Sequence, residues 1–338
     1  MGQRDEPPRA FPFFIGCQRS GTTLLRVIFD HHPLLAVTRE SYFIPWLAAR
    51  AGRYERAGGF DERVFVGDLA RNRHVDRWGL PIDRVERSFA DRPAASLADA
   101  IRRLYELKAA RRGKERYGDK TPEYALHVPL LARMFPESRF VHVIRDGRDV
   151  ALSLTSVPWG PARVGQAALF WRARVEAARA AGAALGKERY FEYHHEQLAR
   201  EPDPIVADIC AFIDLPFDAA MLRYHETATP RAKEQGRHLA EPPTPGLRDW
   251  RAQMPVAGQR LFEILAGDLL AELGYDTATD TATLGAAGER AARRTATRER
   301  MRHAARTSAA ARAAWNVAAR TPLGARGSVR PSTGTPRS

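Results

Sequence analysis

One short stretch near the N-terminus, Phe11–Pro33, constrains the fold more than any other part of the sequence. An apolar run is followed by the loop GCQRSGTT, which starts at Gly16, and then by an amphipathic segment that starts at Leu24. This order predicts a β-strand, a tight glycine loop and a helix. Such a loop directs successive backbone N–H groups at one point, and the helix adds its positive N-terminal end. The expected ligand is therefore an oxyanion.

The glycine spacing of this loop is that of a nucleotide P-loop, but the residues after the second glycine differ. The P-loop motif requires Lys followed by Ser or Thr, and Thr22 and Thr23 stand at those positions. The positive charge lies instead at Arg19, inside the loop, where a planar guanidinium can hold a phosphate or sulfate through paired hydrogen bonds. An ordinary strand-turn-helix unit, with glycines serving only the backbone geometry, is the alternative at this point.

A second informative block lies in the middle of the chain. It predicts an extended piece that ends at Lys120, a helix over Pro122–Phe135, a strand over Arg139–Ile144 and a turn into a further helix. That helix places Ser153 two turns beyond Arg145. A P-loop phosphotransferase would end this strand with an aspartate that holds magnesium. Arg145 stands there instead, and a cation at this point binds a second anion directly.

The remaining elements alternate in the same way. The sequence predicts a long alanine-rich helix over Val164–Leu185, a strand over Arg189–His195 and a last structural helix over Pro255–Leu273. Strands and helices that alternate with short connections predict an α/β fold, a P-loop-like open parallel sheet flanked by helices. Ligands of such sheets bind at the carboxyl ends of the strands, where both Arg19 and Arg145 fall.

The basic charge of the chain is concentrated in its C-terminal part. Of the formal net charge of +13, residues 284–338 carry +10, from 12 Arg and 2 Glu. The predicted organisation is a lead-in over residues 1–10, a single folded domain over 11–278 and an Arg/Ala-rich tail over 279–338. Arg298–Ala319 is compatible with a basic helix, solvated or docked on the surface, but Gly, Pro, Ser and Thr become frequent after Thr321. We expect the tail to be largely disordered and dispensable for chemistry.

The cysteines and the N-terminal sequence indicate the cellular compartment of the protein. Cys17 and Cys210 provide no framework for disulfides or a cysteine-based metal site, and two such residues suit a reducing compartment. The N-terminus has no apolar signal core, and no stretch approaches the ~20 apolar residues that a membrane span needs. We expect a cytoplasmic protein. We expect no metal site, because the histidines have no companion ligands at metal-binding spacing.

These motifs resemble those of the sulfotransferases that use 3′-phosphoadenosine-5′-phosphosulfate (PAPS) as donor. Phe14–Thr23 is similar to their 5′-phosphosulfate loop, and Val143–Ser153 is similar to their 3′-phosphate motif, with its arginine and serine eight positions apart. The nearest branch is the tyrosylprotein-sulfotransferase-like bacterial one. Its pattern G-T-T-L-x-R-x-x-x-D-x-H-P matches Gly21–Pro33, its glutamate before an Ile-Pro pair matches Glu40, and its N-K-x-P lysine resembles Lys120.

The resemblance implies a PAPS-dependent sulfotransferase that moves a sulfuryl group to a hydroxyl acceptor by in-line displacement, without a metal. Glu40, Lys120 and Arg19 would be the catalytic residues, with Glu40 as the base and the cations acting on the developing charge. The residues that the resemblance assigns to the donor site are Arg19, Ser20, Gly21, Thr22, Thr23, Arg145, Ser153 and His195. His195 stands where that branch usually has a tyrosine near the nucleotide.

The acceptor and the partners stay open at this point. A small molecule, a glycan, a lipid or a peptide tyrosine would each fit a variable region such as Gly52–Pro93. The polar, proline-rich segment Glu226–Gly246 is predicted to be a loop that closes over a site. A homodimer is kept as a candidate assembly, and an acidic surface as a candidate partner of the tail.

Two other functions are alternatives to sulfuryl transfer. One is a P-loop kinase-like phosphotransferase, which Thr22 and Arg145 disfavour because they replace the motif lysine and the magnesium aspartate. The other is binding of nucleic acid or another acidic surface through the arginine-rich tail.

Overall fold

The structure is built around one parallel β-sheet. The computed structural model describes residues 9–56, 58–227, 241–244, 249–277 and 285–307. Within these ranges the strands are β1 (Phe11–Gly16), β2 (Leu35–Thr38), β3 (Glu55–Arg56), β4 (Gly59–Phe60), β5 (Arg116–Lys120), β6 (Ser138–Ile144) and β7 (Tyr190–His194). Five of them form the parallel sheet in the order β2-β5-β1-β6-β7, and β3 pairs with β4 in a separate antiparallel ribbon.

Helices cover the sheet and separate its strands. In chain order they are α1 (Thr22–Asp30), α2 (Ile44–Ala48), α3 (Ala51–Tyr54), α4 (Glu62–Ala70), α5 (Arg73–Trp78), α6 (Ile82–Asp91), α7 (Leu97–Ala110), α8 (Val128–Met134), α9 (Gly147–Thr155), α10 (Val164–Leu185), α11 (His195–Arg200), α12 (Pro202–Phe212), α13 (Trp250–Gln253), α14 (Val256–Glu272) and α15 (Gly285–Thr307). Two 3₁₀ segments, Pro122–Leu126 and Ala219–Thr227, complete the described elements. The prediction of an α/β fold with a parallel sheet flanked by helices is confirmed.

The central strand β1 is buried on both faces, as expected for a parallel sheet between two helical layers. Its side chains alternate between two cores. Phe13 stacks on Phe140 of β6 with ring centroids 5.5 Å apart, while Phe14 packs in the opposite core against Phe29 of α1. This packing fixes the position of β1 in the sheet, and therefore the position of the loop that follows its carboxyl end.

The strand register brings the strand ends that carry the predicted site residues to one edge of the sheet. Phe14 of β1 pairs with Lys120 of β5, and Ile144 of β6 pairs with His194 of β7. Because the strands are parallel, their carboxyl ends lie at the same edge, which is where ligands bind in such folds.

Two local features differ from the sequence predictions. Leu35–Thr38, for which no strand was predicted, forms the edge strand β2, paired with β5. The helix predicted over Pro122–Phe135 is divided into a 3₁₀ turn and α8, with His127 between them in a non-helical conformation. Most of the predicted closing loop Glu226–Gly246 lies outside the described residues.

The part of the tail that the structure describes is helical. Helix α15 packs against α14 and α10, with Ala292, Ala296 and Glu299 buried at the contact. Glu299 pairs with Arg163 at 3.2 Å, and Glu289 accepts two hydrogen bonds from Arg260. The expectation of disorder is therefore wrong for residues 285–307, because ion pairs with the body and small buried alanines dock this helix. The other tail residues lie outside the described part of the chain.

No helix in the described ranges is long and apolar enough to cross a membrane.

The docking of α15 predicts a stability effect that depends on the face of the helix. Ala296 is buried and Ala291 is exposed, so the same substitution can be placed on either side. We expect Ala296→Arg to lower the free energy of unfolding by about 1–3 kcal/mol, because a large charged side chain overpacks the contact. Ala291→Arg should change it by less than about 0.5 kcal/mol. Urea unfolding of both variants measures this, and equal values would contradict a docked helix. The kcat of Ala296→Arg tests whether the tail is dispensable for chemistry.

Candidate active site

The glycine loop connects β1 to the N-terminus of α1, as predicted. Arg19 and Gly21 both adopt left-handed backbone conformations, with φ of 74° and 94°. This conformation costs a non-glycine residue about 1–3 kcal/mol, so it persists only where the surroundings enforce it. Gly21 caps α1, and Thr22 and Thr23 form its first turn. The loop therefore brings backbone N–H groups and a helix N-terminus to one place, which is an arrangement that binds oxyanions.

Arg19 connects this loop to the second predicted motif. Its Nε donates a hydrogen bond to Ser153 Oγ on α9, at 2.8 Å, although the two residues are far apart in sequence. The bond brings the glycine loop into contact with the second predicted motif. Arg19 itself is exposed, as a residue that meets a ligand must be.

Arg145 follows the end of β6 and lies beside the same helix. Its Nη2 contacts Asp149 Oδ2 at 3.4 Å, and its carbonyl oxygen accepts a hydrogen bond from Trp171 Nε1 at 3.2 Å. Asp149 in turn accepts a hydrogen bond from the backbone N–H of Trp250. Burial raises the pKa of Asp149 to about 6, although the Arg145 charge opposes this shift. The guanidinium is thus held at the carboxyl edge of the sheet by the groups around it.

His195 lies over the glycine loop. A Cβ atom on Gly21 would overlap the imidazole ring, so the loop approaches His195 as closely as a glycine allows. Burial, together with the nearby charge of Arg145, lowers the pKa of His195 to about 3. The ring is therefore neutral at physiological pH and can donate or accept one hydrogen bond at each nitrogen according to its tautomer.

Two buried polar atoms at the loop fit an anionic ligand. Ser20 Oγ and His195 Nδ1 are both buried and have no hydrogen-bond partner among the described residues. An unsatisfied buried polar group costs about 1–3 kcal/mol. A phosphate or sulfate oxygen would accept the Ser20 hydroxyl hydrogen, and a nucleotide group would satisfy His195. The residues at this loop therefore suit the predicted donor.

Glu40 and Lys120 form an ion pair at the ends of β2 and β5. Lys120 Nζ donates to Glu40 Oε1. The lysine side chain is only 2% exposed, whereas that of the glutamate is 34% exposed. The pair thus consists of a buried cation and a carboxylate that solvent or a substrate can reach.

The electrostatics of this pair favour an ionised carboxylate. Burial raises the pKa of Glu40, but the charge and the hydrogen bond of Lys120 outweigh burial and leave this pKa below its ordinary value. The charge of Arg26 acts in the same direction. Burial lowers the pKa of Lys120, although the Glu40 carboxylate opposes this shift. At neutral pH, Glu40 is therefore in the form that can accept a proton.

Hydrogen bonds hold the two chain segments of this pair together. The backbone N–H of Ser41 donates to Thr121 Oγ1 at 2.9 Å, and Ser41 Oγ lies 2.7 Å from the Tyr124 hydroxyl. Both bonds join Ser41, which follows Glu40, to the segment that follows Lys120, so the relative position of the two charged groups is fixed by their surroundings.

Sequence reasoning missed a polar cluster next to the loop. Gln18, Glu123 and Arg174 hydrogen-bond to one another, and they connect the glycine loop, the segment after Lys120 and helix α10. Gln18 and Glu123 lie beside residues that the motifs indicated. Arg174 lies within an alanine-rich helix, where no sequence signal distinguishes it from a surface arginine.

Within the described ranges, no group of three or more His, Cys, Asp or Glu side chains is arranged to hold a metal ion. Cys17 and Cys210 are both buried and unpaired with each other.

Similarity to known proteins identifies the family of this chain. The profile of the Sulfotransferase family matches residues 12–219, which is more than half of the chain. The chain belongs to this family. Among the relatives of this sulfotransferase is protein-tyrosine sulfotransferase 1 of Danio rerio, 23% identical over 286 residues, which cover 81% of this chain and 74% of the relative. Another is the nodulation protein NoeE of Sinorhizobium fredii. It is 27% identical over 301 residues, which cover 80% of this chain and 67% of the relative.

Solved structures agree on the fold. The sulfotransferase domain of the Synechococcus PCC 7002 olefin synthase superposes with a TM-score of 0.56 at 22% identity, covering 81% of this chain and 98% of that domain. The sulfotransferase domain from the curacin biosynthetic pathway gives a TM-score of 0.50 at 18% identity, covering 81% and 100%. The predicted family resemblance and the P-loop-like α/β fold are thereby confirmed, while the roles of individual site residues stay predictions.

Proposed function

We propose that this sulfotransferase transfers the sulfuryl group of PAPS to a hydroxyl acceptor by in-line displacement, with Glu40 as the general base. The observation that carries this proposal is the hydrogen bond from Arg19 to Ser153. This bond connects the glycine loop to the helix that follows Arg145, which supports a single donor site with two anion-binding parts. A donor with phosphate groups at both its 5′ and 3′ positions needs such a pair of anion sites.

The donor side of the site follows from the loop and from α9. The backbone of Ser20–Thr23 and the N-terminus of α1 would bind the 5′ phosphosulfate, and Arg145 with Ser153 would bind the 3′-phosphate. His195 is close to both and would contact the nucleotide. Arg19, exposed and at the loop, would stabilise negative charge as it develops on the leaving oxygen.

The acceptor side follows from the ion pair. One oxygen of Glu40 is bonded to Lys120, and the other can take the proton of the acceptor hydroxyl as its oxygen attacks sulfur. Lys120, buried and cationic, keeps Glu40 ionised before the reaction and would stabilise the phosphate that leaves.

The acceptor itself is proposed only as a hydroxyl compound. The Danio rerio relative is named for protein tyrosine, which makes a peptide tyrosine one candidate beside a small molecule, a glycan and a lipid. Mass spectrometry of sulfated products, after PAPS is added with a host extract, would identify it. The homodimer, the cytoplasmic location and the binding of an acidic surface by the tail stay predictions.

Arg145→Ala tests the donor assignment. We expect affinity for adenosine 3′,5′-bisphosphate to fall more than about tenfold, since a charged hydrogen bond contributes roughly 1.5–3 kcal/mol. Affinity for AMP, which lacks the 3′-phosphate, should change little. Calorimetry with both nucleotides measures the difference, and exposed Arg133→Ala on α8 is the matched control. Equal losses for the two nucleotides would remove Arg145 from the 3′-phosphate site.

Chelation distinguishes this proposal from the kinase-like alternative. Sulfuryl transfer assisted by Arg19, Lys120 and Arg145 should be unchanged by EDTA, because these cations take the place of a metal in neutralising the donor. A P-loop phosphotransferase uses magnesium between its phosphates. Loss of turnover in EDTA, restored by magnesium, would support the phosphotransferase instead.

A further inference from the structure

Three polar side chains outside the residues assigned above form a closed cluster beside the glycine loop. Gln18 Nε2 donates to Glu123 Oε2 at 2.7 Å, and Arg174 Nε donates to Gln18 Oε1 at 3.0 Å. Arg174 Nη2 also contacts both oxygens of Glu123, at 2.9 and 2.7 Å. Both ends of the Gln18 amide and both oxygens of the carboxylate are therefore used. We refer to these residues as the Gln18–Glu123–Arg174 cluster.

Arg174 anchors the cluster to helix α10. Its guanidinium lies 3.3 Å from the centre of the Phe170 ring, and its Nη1 donates to the Phe170 carbonyl oxygen. The Arg174 side chain is 10% exposed and that of Glu123 is 29% exposed. Charge-assisted bonds between such groups are roughly twice as strong as neutral ones, and the planar guanidinium fixes their geometry. The cluster is thus a stiff connection to a long helix.

The two segments that this cluster joins each carry a proposed catalytic cation. Gln18 directly precedes Arg19, whose left-handed backbone conformation must be enforced by its surroundings. Glu123 lies in the 3₁₀ turn that starts two residues after Lys120. Glu123 therefore fixes the position of the Arg19 loop relative to the Lys120 segment through direct hydrogen bonds.

We propose that Glu123 is a positioning residue for sulfuryl transfer, which sets the separation between Arg19 and Lys120 by holding Gln18 and Arg174. This inference rests on the proposed function, in which both cations act on the same transferring group. A displacement of about 1 Å at a reacting centre can cost about 10²-fold in rate. The effect of Glu123 should therefore appear in kcat rather than in nucleotide binding, because Arg145, Ser153 and α1 would still hold the nucleotide.

A purely structural role is the competing explanation, and the chain offers a matched control for it. Arg102 and Glu137 form a comparable two-bond pair, at 2.6 and 3.0 Å, with the carboxylate 8% exposed. Glu137 immediately precedes β6, at the amino-terminal edge of the sheet and so away from the loop. Glu137→Gln should lower stability without changing kcat.

The experiment compares Glu123→Gln, Gln18→Leu, their double variant and Glu137→Gln in the full chain. The readouts are conversion of PAPS to adenosine 3′,5′-bisphosphate with host extract as the acceptor source, calorimetric affinity for the bisphosphate, and melting temperature. We expect Glu123→Gln to lower kcat about 10- to 100-fold with bisphosphate affinity changed less than about fivefold. Gln18→Leu, which leaves the Arg174–Glu123 pair in place, should act in the same direction. The double variant should be no slower than the slower single variant, because residues that act as a unit are not additive.

The outcomes separate the possibilities. Near wild-type kcat in both Glu123→Gln and Gln18→Leu, with melting temperatures lowered as in Glu137→Gln, would overturn the inference and leave a structural cluster. If Glu123→Gln fails to fold, Gln18→Leu alone decides by the same criterion. A wild-type protein that neither binds the bisphosphate nor consumes PAPS would overturn the proposed function itself, which is a different result.

Discussion

Glu40→Gln should lower kcat by about 10²- to 10⁴-fold while leaving the affinity for adenosine 3′,5′-bisphosphate nearly unchanged. Glutamine keeps the shape of the side chain and one acceptor oxygen for Lys120, but it cannot accept a proton at neutral pH. The proposed nucleotide contacts involve the glycine loop, Arg145, Ser153 and His195, and not Glu40. Steady-state turnover and calorimetry on the same preparation measure the two quantities.

The pH dependence of the wild-type protein has a defined direction. Lys120 holds the pKa of Glu40 below its ordinary value despite burial, so Glu40 is ionised across the neutral range. Activity that needs the carboxylate should be lost only as the pH falls through this lowered pKa. Glu40→Gln should lack that acidic limb in its residual activity, because the titrating group is gone.

Glu106→Gln, on the exposed side of α7, is the control for a lost carboxylate. Near wild-type turnover by Glu40→Gln, with donor and acceptor bound normally, would mean that another group is the base. The histidines His31, His32 and His195 would be tested next. His32 has both ring nitrogens bonded to backbone groups, so His31 and His195 would come first.

The motif-bearing part of the fold was predictable because its signals are local. A strand followed by a glycine loop and a helix identified β1 and α1, and the β-branched run before Arg145 identified β6. The edge strand β2 was missed because all four of its residues are buried, so it shows no alternation between apolar and polar positions. Short buried strands of this kind cannot be recognised by periodicity.

Side-chain contacts between residues far apart in the sequence could not be predicted from the sequence. The docking of α15 depends on Arg163 and Arg260, which lie in the body of the protein and neutralise the two glutamates of the helix. The apolar positions of α15 that face the body are alanines, too small to give a strong periodic signal. Likewise, the bond between Arg19 and Ser153 follows from the sheet register and not from either motif alone.

Lys120→Met should lower kcat by about 10²- to 10³-fold, the usual effect of removing one group that stabilises charge in a transition state. Methionine is close to lysine in volume, so the buried site stays filled, but Glu40 loses its partner. With Lys120 gone, burial is left as the main influence on Glu40 and raises its pKa. The acidic limb of the pH profile should therefore move to higher pH, whereas Glu40→Gln should remove this limb.

The stability of Lys120→Met should depend on pH for the same reason, which is the changed pKa of Glu40. A carboxylate whose pKa is lowered by folding contributes stability above its unfolded pKa, and this contribution is lost as the pH falls through the folded pKa. Lys120→Met removes that contribution, so its melting temperature should fall most at neutral pH and approach the wild-type value in acid. Lys108→Met is the control, because Lys108 is partly buried but donates to the Trp78 carbonyl and not to Glu40. An acidic limb at the wild-type position in Lys120→Met would show that Lys120 does not set the ionisation of Glu40.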